Sequence, residues 1–312
     1  MIRYLLRRVL YAVPILLGVT IVTFLLFYVF VSPEGMARRQ LGKNPTPAQV
    51  KGWLGQHGYD RPLAVQFGTN MEELMLFRFG RSDVDDELIA TKIRRGAGPS
   101  AQIASLILLG GLLASVAGAL AVAYYRGTYV DYAATFLCVL LMSVVYMIWI
   151  VAGQYLFGKV LKLSPLTGYR AGPMSWQFVL LPVLIGIVQG LGQSIRFYRT
   201  IMLEEISQDY VRTARAKGVG ERAILFRHVL KNALVPIITS TVLGIPFVIL
   251  GNLLLESFFG IPGLGGITID AINSQDFAVV RVMVFLGAVL YIAGAILTDI
   301  CYALVDPRVR FK

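Results

Sequence analysis

Charged residues are clustered along the 312-residue chain and leave six long uncharged runs between them. A membrane-spanning helix needs about 20 apolar residues, because an α-helix rises about 1.5 Å per residue. Five runs reach that length, and the shorter sixth run continues past Asp299 through apolar residues to Asp306. The runs cover residues 9–33, 96–125, 132–158, 171–195, 232–255 and 282–298. We therefore predict six transmembrane helices, at 9–31, 101–125, 132–157, 177–196, 233–255 and 282–304.

Composition supports an all-α, polytopic membrane protein. Hydrophobic residues make up 56% of the chain, charged residues make up only 15%, and the mean hydropathy is +0.69. A soluble domain of this length needs more charge to cover its surface. The runs are continuously apolar, whereas strands of a membrane barrel alternate between apolar and polar residues. The pattern therefore favours membrane helices.

The first run is preceded by Arg3, Arg7 and Arg8, which is also the arrangement of a secretory signal peptide. The apolar run that follows is longer than 20 residues, whereas the apolar part of a signal peptide has about 7–15. No small-x-small cleavage sequence follows it. We predict an uncleaved spanning helix at 1–31.

The distribution of Lys and Arg predicts which side of the membrane each loop occupies. With the N-terminus in the cytoplasm, 15 of the 29 basic residues lie inside, including the eight of 196–232. Ten of the others lie in the long 32–98 segment, which counts little because large segments are translocated whatever their charge. Only four remain outside. The sequence therefore predicts an N-in, C-in topology, and the net charge of +11 indicates membrane topology and not nucleic-acid binding.

This topology divides the chain into four parts: an N-terminal transmembrane helix (1–31), an extracytoplasmic segment (32–98), a transmembrane domain (99–306) and a cytoplasmic tail (307–312). The transmembrane domain includes a cytoplasmic loop at about 200–232. In the extracytoplasmic segment, Thr46 and Pro47 form the start signal of a short helix.

The acidic run 83–87 of the extracytoplasmic segment is open to two interpretations. It is either a metal-binding loop or a solvated turn that faces neighbouring arginines, and the second is favoured. His57 has no second His or Cys nearby, so we expect no metal site there. The arginines are Arg78, Arg81, Arg94 and Arg95.

Motifs for covalent chemistry or nucleotide binding are missing from the sequence. The stretch Gly153–Lys159 has the spacing of a phosphate-binding loop but lacks the Ser or Thr that would hold magnesium. It also lies at the end of a predicted span and not between a strand and a helix. Cys138 and Cys301 both fall within predicted spans, which excludes a disulfide between exposed loops. We therefore expect neither a metal nor a cofactor in this chain.

Few ionisable groups lie at the predicted membrane midplane. Glu256 and Asp299 fall near helix ends, and Asn252 with Gln189 and Gln193 are the deeper polar groups. Such amides either join helices by hydrogen bonds or line a path for a polar substrate. Both interpretations stay open for Asn252 and Glu256, while helix–helix bonding is favoured for the glutamines.

The loop between the fourth and fifth predicted spans is charged and helix-prone. Residues 201–216 have the periodicity of an amphipathic helix, Gly218 is typical of a helix end, and 219–230 form a second amphipathic stretch. The pattern predicts a helix, a glycine turn and a helix with a basic exposed rim. Such an element either binds anionic lipid or is a docking site for a cytoplasmic protein.

The residues of this loop resemble a known family. The stretches Asp209–Gly218, Glu221–Arg222 and Phe226–Pro236 are similar to the cytoplasmic coupling loop of ABC importer permeases, in the dipeptide, oligopeptide and nickel branch (the B-type permease). The general family pattern is Glu-Ala-Ala, three residues, Gly, nine residues, Ile-x-Leu-Pro. Aligned on Gly218, this chain has Arg212, Thr213 and Ala214 for the first part and His228–Lys231 for the last. The replacement of the pattern's Glu by Arg212 and of its final Pro by Lys231 is typical of the peptide and nickel branch.

The resemblance covers nearly the whole chain. The opening helix, two stretches of the outer segment, the loop after the fifth span and the exit sequence each resemble the same branch. They are Arg3–Phe27, Leu63–Phe67, Phe79–Ser82, Glu256–Gly265 and Asp306–Arg308.

The resemblance implies a type I ABC importer permease fold in a bacterial inner membrane. It implies a homologous second permease, two cytoplasmic ATPase subunits that bind ATP and Mg²⁺, and an extracytoplasmic substrate-binding protein that meets the loops 158–176 and 257–281. The ATPase-coupling residues would be Arg212, Thr213, Ala214, Arg215, Ala216, Lys217, Gly218, Glu221 and Arg222. In this interpretation Gly218 folds the loop, Ala214 and Ala216 keep its surface low, and the basic residues orient it.

Short peptides are the cargo that the branch implies, with nickel, nickel chelates or other solutes as alternatives. Clusters of Met, His or Cys suited to bare metal ions are not evident in the sequence. An ion-coupled secondary transporter is the alternative from another class, and the shortage of midplane carboxylates argues against it. A membrane-embedded enzyme would need paired acidic or His residues at membrane depth.

Overall fold

The computed structural model describes residues 2–30, 32–42, 44–170, 172, 175–242, 244–245 and 252–305, without the side chains of 2–9, 29–30, 299 and 301–305. The predictions for 306–312, which include the exit sequence and the tail, lie outside the described residues. The named elements of the described part are all helical, and an isolated bridge joins Arg81 to Leu88. The all-α prediction is confirmed.

Within the described part of the chain, four helices are long and apolar enough to cross a membrane singly. They are α1 (Ile2–Phe24, continued by a π-helical segment Leu25–Phe30), α5 (Ile89–Tyr124), α8 (Trp176–Ile206) and α14 (Phe277–Val305). Two bent helix pairs raise the number to six if each pair is one span. The predicted spans at 9–31 and 282–304 fall within helices of the expected kind. The spans at 101–125 and 177–196 are parts of longer helices.

The predicted span 132–157 is not one straight helix. It consists of α6 (Tyr129–Ser143) and α7 (Tyr146–Gly153, continued by a π-helical segment Gln154–Val160), bent by 92°. Val144 and Val145 between them have extended backbone. Consecutive β-branched residues tolerate extended backbone better than helix, which gives the bend a physical reason.

The predicted continuous span 233–255 is also wrong. Helix α11 (Leu230–Val242) is followed by a turn at Gly244, and Asn252 has extended backbone. Asn252 caps the start of α12 (Leu253–Phe259), and α12 is bent by 82° from α13 (Leu264–Ser274). Because the Asn252 side chain sets a helix start inside the predicted span, apolarity alone did not define a span here.

Three short helices form the segment after α1: α2 (Pro33–Gln40), α3 (Pro47–Gln56) and α4 (Leu63–Met75). The predicted start of α3 is confirmed as a capping box, in which Thr46 Oγ1 accepts from Gln49 N at 3.3 Å and Thr46 N donates to Gln49 Oε1 at 2.8 Å. Helix α5 begins at Ile89, so the last ten residues of the predicted 32–98 segment belong to that helix.

Helix packing in the bundle depends on small residues. Helix α8 lies along α5 and also packs on α6, while α1 packs on α14. A Cβ atom at Gly186 of α8 would lie 2.5 Å from Ile107 Cδ1 of α5, so glycine is required for the close approach. Gly190 has open space around its Cα. Of these two glycines of α8, Gly186 is the one at the close contact with α5.

Candidate functional site: the coupling segment

The coupling segment, defined as residues 200–232, joins α8 to α11. Helix α8 ends at Ile206, and α9 (Asp209–Ala216) follows after Ser207 and Gln208. The single helix predicted at 201–216 is therefore two helices. Ser207 Oγ donates to the Glu204 carbonyl at 2.7 Å and competes with helical pairing, while Asp209 places negative charge at the start of α9, where the helix dipole favours it.

The predicted glycine turn is confirmed. Gly218 has φ +77°, in the left-handed region that favours glycine. Val219 N donates to the Ala214 carbonyl at 3.2 Å and Gly218 N to the Arg215 carbonyl at 2.9 Å, which closes the end of α9. The chain then enters α10 (Glu221–Ile224) and a π-helical segment Leu225–Val229 that runs into α11.

One face of the coupling segment is buried. Val211, Ile224 and Val229 are fully buried against Met202 of α8 and Ala233 of α11. This apolar cluster fixes the short helices to the two long ones. A movement of the segment therefore moves α8 and α11 as well.

Ala214 belongs to the same buried cluster and does not contribute to the exposed surface. Its expected role in a low docking surface is therefore corrected: Ala214 packs inward, because it lies on the same face of α9 as Val211. Ala216 is exposed, as that role requires.

The opposite face carries the remaining predicted coupling residues. Arg215 is half-buried and the others are exposed, namely Arg212, Thr213, Ala216, Lys217, Gly218, Glu221 and Arg222. The structure thus brings all of them onto one protrusion. Their role in coupling stays a prediction.

An ion pair closes the protrusion across the glycine turn. Arg215 Nε and Nη2 donate to the two oxygens of Glu221 at 2.6 and 3.2 Å. These hydrogen bonds hold the pKa of Glu221 below its usual value and raise that of Arg215. Glu221 is thereby occupied within the chain, so Lys217 and Arg222 give the exposed rim its basic character, together with Arg212, which pairs with the exposed Asp209 at 3.4 Å.

An apolar cleft that sequence reasoning missed lies beside this rim. It has a volume of about 320 Å³ and is lined by α5 residues, by Leu225 and by the exposed Phe226. The Arg222 guanidinium lies 6.0 Å from the centre of the Tyr124 ring, within range of a cation–π contact. The sequence signal that could have indicated this cleft is the occurrence of aromatic residues next to charged residues at the end of a predicted span.

Sequence reasoning also missed an anchor between α8 and α6. Arg199 Nε and Nη2 donate to Asp131 Oδ1 and Oδ2 at 2.9 and 2.8 Å, and Asp131 Oδ2 also accepts from Gly127 N at 3.0 Å. The anchor lies about two turns before the end of α8. It ties the α5–α6 connection to the helix that carries the coupling segment.

The predicted pathway residues Asn252 and Glu256 lie together at the start of α12. Asn252 Oδ1 accepts from Leu255 N at 3.2 Å, and its Nδ2 donates to the Tyr146 hydroxyl at 2.8 Å. Glu256 is 1% exposed and accepts backbone hydrogen bonds from Asn252, Gly265 and Gly266 at 3.0, 2.7 and 3.2 Å. The carboxylate therefore organises the turn between α12 and α13. That either residue lines a pathway stays a prediction.

The acidic run 83–87 forms ion pairs, as the favoured interpretation predicts. Asp86 pairs with Arg81 at 3.3 Å and Glu87 with Arg95 at 3.1 Å, while Asp85 pairs with Lys92 at 2.7 Å. The Lys92 hydrogen bond lowers the pKa of Asp85 to about 2. Within the described residues, no group of three or more His, Cys, Asp or Glu side chains is placed to hold a metal ion.

Asp83 differs from the rest of the run because it is turned inward. Its Oδ2 accepts from Ala278 N at 3.0 Å, at the start of α14. Burial raises its pKa, and the nearby Arg281 charge opposes that effect. Asp276 makes the reciprocal contacts: its Oδ1 accepts from Asp83 N at 3.1 Å, and its Oδ2 accepts from the Ser82 hydroxyl.

Comparison with known proteins decides the family. The family model described as "Binding-protein-dependent transport system inner membrane component" matches residues 107–311. The corresponding N-terminal model matches residues 1–85. The chain belongs to this family of ABC importer permeases. As a permease of this family it is a multi-pass protein of the inner membrane and not an enzyme.

Similar permeases match over almost their whole length. One, from Brucella abortus (strain 2308), is named as a peptide transport system permease protein and is 33% identical over 311 residues, 98% of each chain. Another is named as a peptide ABC transporter permease protein in Sinorhizobium fredii, 30% identical over 313 residues and 99% of each chain. A glutathione transport system permease of Salmonella choleraesuis is 30% identical over 313 residues and 100% of each chain.

Proposed function

We propose that this permease forms the translocation pathway of an ATP-driven importer for short peptides, together with a homologous second permease. The names of its relatives support peptide cargo, because three of them refer to peptides or to glutathione, itself a short peptide. ATP and Mg²⁺ would be bound by two cytoplasmic ATPase subunits, and an extracytoplasmic binding protein would deliver the substrate.

The observation that carries this proposal is the shape of the coupling segment. It has a buried apolar face that joins two long helices and an exposed basic face on a protrusion held by the Arg215–Glu221 pair. A rigid element of this kind transmits a push from a docked protein into helix movement, which is the usual form of such transitions. Interfacial binding to anionic lipid would need the basic face but not the rigid attachment.

The orientation belongs to the same proposal. With the N-terminus and C-terminus in the cytoplasm, the coupling segment faces the ATPases, and the loops 158–176 and 257–281 face the binding protein. The distribution of Lys and Arg supports this orientation when the long 32–98 segment is left out of the count. ATP binding would then move the coupling segments of both permeases and alternate the access of the pathway.

Uptake into vesicles tests the proposal. The chain is reconstituted with its co-purified partner subunits, and ATP-driven uptake of radiolabelled dialanine is measured for the wild type, for Arg212→Glu with Lys217→Glu, and for the control Arg94→Glu. Arg94 is also exposed, but it lies on α5 within the segment 32–98 that is predicted to be extracytoplasmic. We expect the double variant to lose uptake and to release the ATPases on purification, while the control retains both.

Uptake without ATP would contradict the importer mechanism. Full uptake by the double variant would contradict the role of the coupling segment. ATP-dependent transport of another solute in place of dialanine would overturn only the peptide cargo.

A further inference from the structure

A polar cleft of about 520 Å³ lies at the end of the bundle opposite the coupling segment. Its walls come from the end of the first helix, from the α3–α4 connection, from α4 and from the start of α14. The key side chains are Tyr28, His57, Asn70, Asp83 and Arg281. None of them belongs to the coupling segment.

Arg281 is the central charge of this cleft. Its Nη1 donates to the Tyr28 hydroxyl oxygen and to Asn70 Oδ1, the latter at 3.0 Å, and the Tyr28 ring lies 4.8 Å from the guanidinium carbon. Among the described residues, Nε is buried without an acceptor and no carboxylate oxygen lies within 4.0 Å of the guanidinium. A partly buried guanidinium without a carboxylate partner is costly, so an added anion would be stabilising.

Asn70 fixes the position of the guanidinium. The side chain is 5% exposed, and its amide orientation is set because a guanidinium can only donate, which assigns the oxygen to the side facing Arg281. The amide nitrogen is therefore directed away from Arg281, and it has no acceptor among the residues that the structure describes.

Three acidic side chains line the cleft, namely Glu73, Asp83 and Asp86. Asp86 pairs with Arg81 at 3.3 Å. Asp83 is the carboxylate whose charge acts on Arg281, and it accepts from the Ala278 backbone at 3.0 Å and not from the guanidinium. His57 Nδ1 contacts the Trp53 carbonyl at 2.9 Å, and a carbonyl oxygen can only accept, so Nδ1 carries the hydrogen.

We propose that this cleft binds a small organic carboxylate, which accepts a hydrogen bond from Arg281 Nη2, the guanidinium nitrogen that is neither bonded nor enclosed within the described part of the chain. Asn70 and Tyr28 position the guanidinium through Nη1. Charge-assisted hydrogen bonds of this kind are the strong ones in proteins. The site goes beyond the proposed function, because it lies where the segment after α1 meets the start of α14 and does not depend on what the protein transports.

Trp53 is a built-in reporter for this binding. Its ring stacks on His57 with 4.0 Å between ring centres, and His57 lines the cleft. The chain has three tryptophans, so Trp149→Phe with Trp176→Phe leaves Trp53 as the single one. Trp149 Nε1 is buried without a partner in the described residues and Trp176 is exposed, so both replacements are expected to be mild.

The experiment titrates this full-length single-tryptophan chain in lipid nanodiscs with N-acetylalanine and, separately, with N-acetylalaninamide. The two probes have the same shape and differ only in the carboxylate. We expect a saturable change in Trp53 fluorescence with an affinity for the carboxylate about tenfold or more above that for the amide. Equal affinities, or no saturable change, would overturn the proposal.

Two arginine variants test whether N-acetylalanine binds at Arg281. Arg281→Gln is expected to weaken N-acetylalanine binding at least tenfold, and Arg94→Gln, the same change at an exposed position outside the cleft, is expected to leave it unchanged. Unchanged affinity in a folded Arg281→Gln protein would contradict the site. If that variant does not fold, the comparison of N-acetylalanine with N-acetylalaninamide on the unaltered cleft still tests whether the carboxylate is recognised.

Discussion

Arg199 and Asp131 form a two-point ion pair that joins α8 to the start of α6, with N–O distances of 2.9 and 2.8 Å. The side chains are 26% and 8% exposed, respectively, so the pair is largely shielded from water. Gly127 N donates to the same carboxylate. Movement of the coupling segment is thereby shared with α6, as well as with the helices that pack directly on it.

We expect Asp131→Leu to lower the thermal stability of the purified protein, because it leaves Arg199 and Gly127 N without their acceptor, at a cost of about 3 kcal/mol. Arg199→Leu should have a similar effect. The double variant should be less destabilised than the sum of the two, since neither partner then remains unpaired. Additive effects in this cycle, measured by thermal unfolding in detergent, would contradict direct coupling.

A matched pair of serine substitutions tests the glycine turn. Gly218 has φ +77°, whereas Gly220 has φ −64° and is the N-cap of α10, and a Cβ atom at either position would meet nothing within 4 Å. Gly218→Ser should destabilise the coupling segment by about 1 kcal/mol because of the left-handed backbone. Gly220→Ser should be neutral or stabilising, since serine is a good N-cap.

Hydrogen exchange of residues 209–229 provides the measurement. Faster exchange in Gly218→Ser alone is the expected result. Equal effects of the two substitutions would show that the backbone conformation of Gly218 is not the constraint.

Glu256 provides a prediction about the turn between α12 and α13. It accepts three backbone hydrogen bonds through two oxygens, and glutamine has only one oxygen. Glu256→Gln should therefore leave at least one donor unpaired in either amide orientation and destabilise the turn by about 1–3 kcal/mol. Asp270→Asn, at an exposed position of α13, is the control. Thermal unfolding that is equal for both variants would contradict the prediction.

The pH dependence of stability should report Asp83. Its pKa is raised in the folded protein, so the folded state binds the proton more readily than the unfolded state. The contribution of Asp83 to stability is greatest below about pH 3.8, its ordinary pKa, and declines as pH rises through the raised value. Asp83→Asn removes the charge and should gain stability relative to wild type as pH increases.

The measurement is the thermal midpoint between pH 4 and pH 8. Asp86→Asn, whose side chain is 83% exposed, should show no such trend. A difference between Asp83→Asn and wild type that shrinks with rising pH would have the wrong sign and would contradict the assignment.

Cysteine labelling tests the orientation. Asp86→Cys and Ala216→Cys, each made together with Cys301→Ser, place exposed thiols on the extracytoplasmic segment and on the coupling segment, while the other native cysteine, Cys138, is buried. A membrane-impermeant maleimide should label Asp86→Cys in intact cells and Ala216→Cys only after permeabilisation. The reverse pattern would invert the proposed topology.

Hydropathy and local signals predicted the class of protein, the helix start at Thr46 and the turn at Gly218, because each depends on residues close together in sequence. The bends at Val144 and Asn252 were not predicted, since apolar composition is the same on both sides of a break. The Arg199–Asp131 and Arg281–Asn70 contacts join residues 68 and 211 positions apart. Such pairs are set by helix packing, which no single-sequence pattern contains.

Helix α8 has 31 residues, and at 1.5 Å per residue it is about 46 Å long, compared with about 30 Å for the hydrocarbon layer. Its only proline, Pro182, lies in the first third of the helix. The remainder is therefore stiff and carries the coupling segment at its far end. A tilt of about 10° around the midpoint displaces both ends by about 4 Å in opposite directions. A displacement of the coupling segment on one side of the membrane therefore moves the Trp176 end of α8 in the opposite direction on the other side.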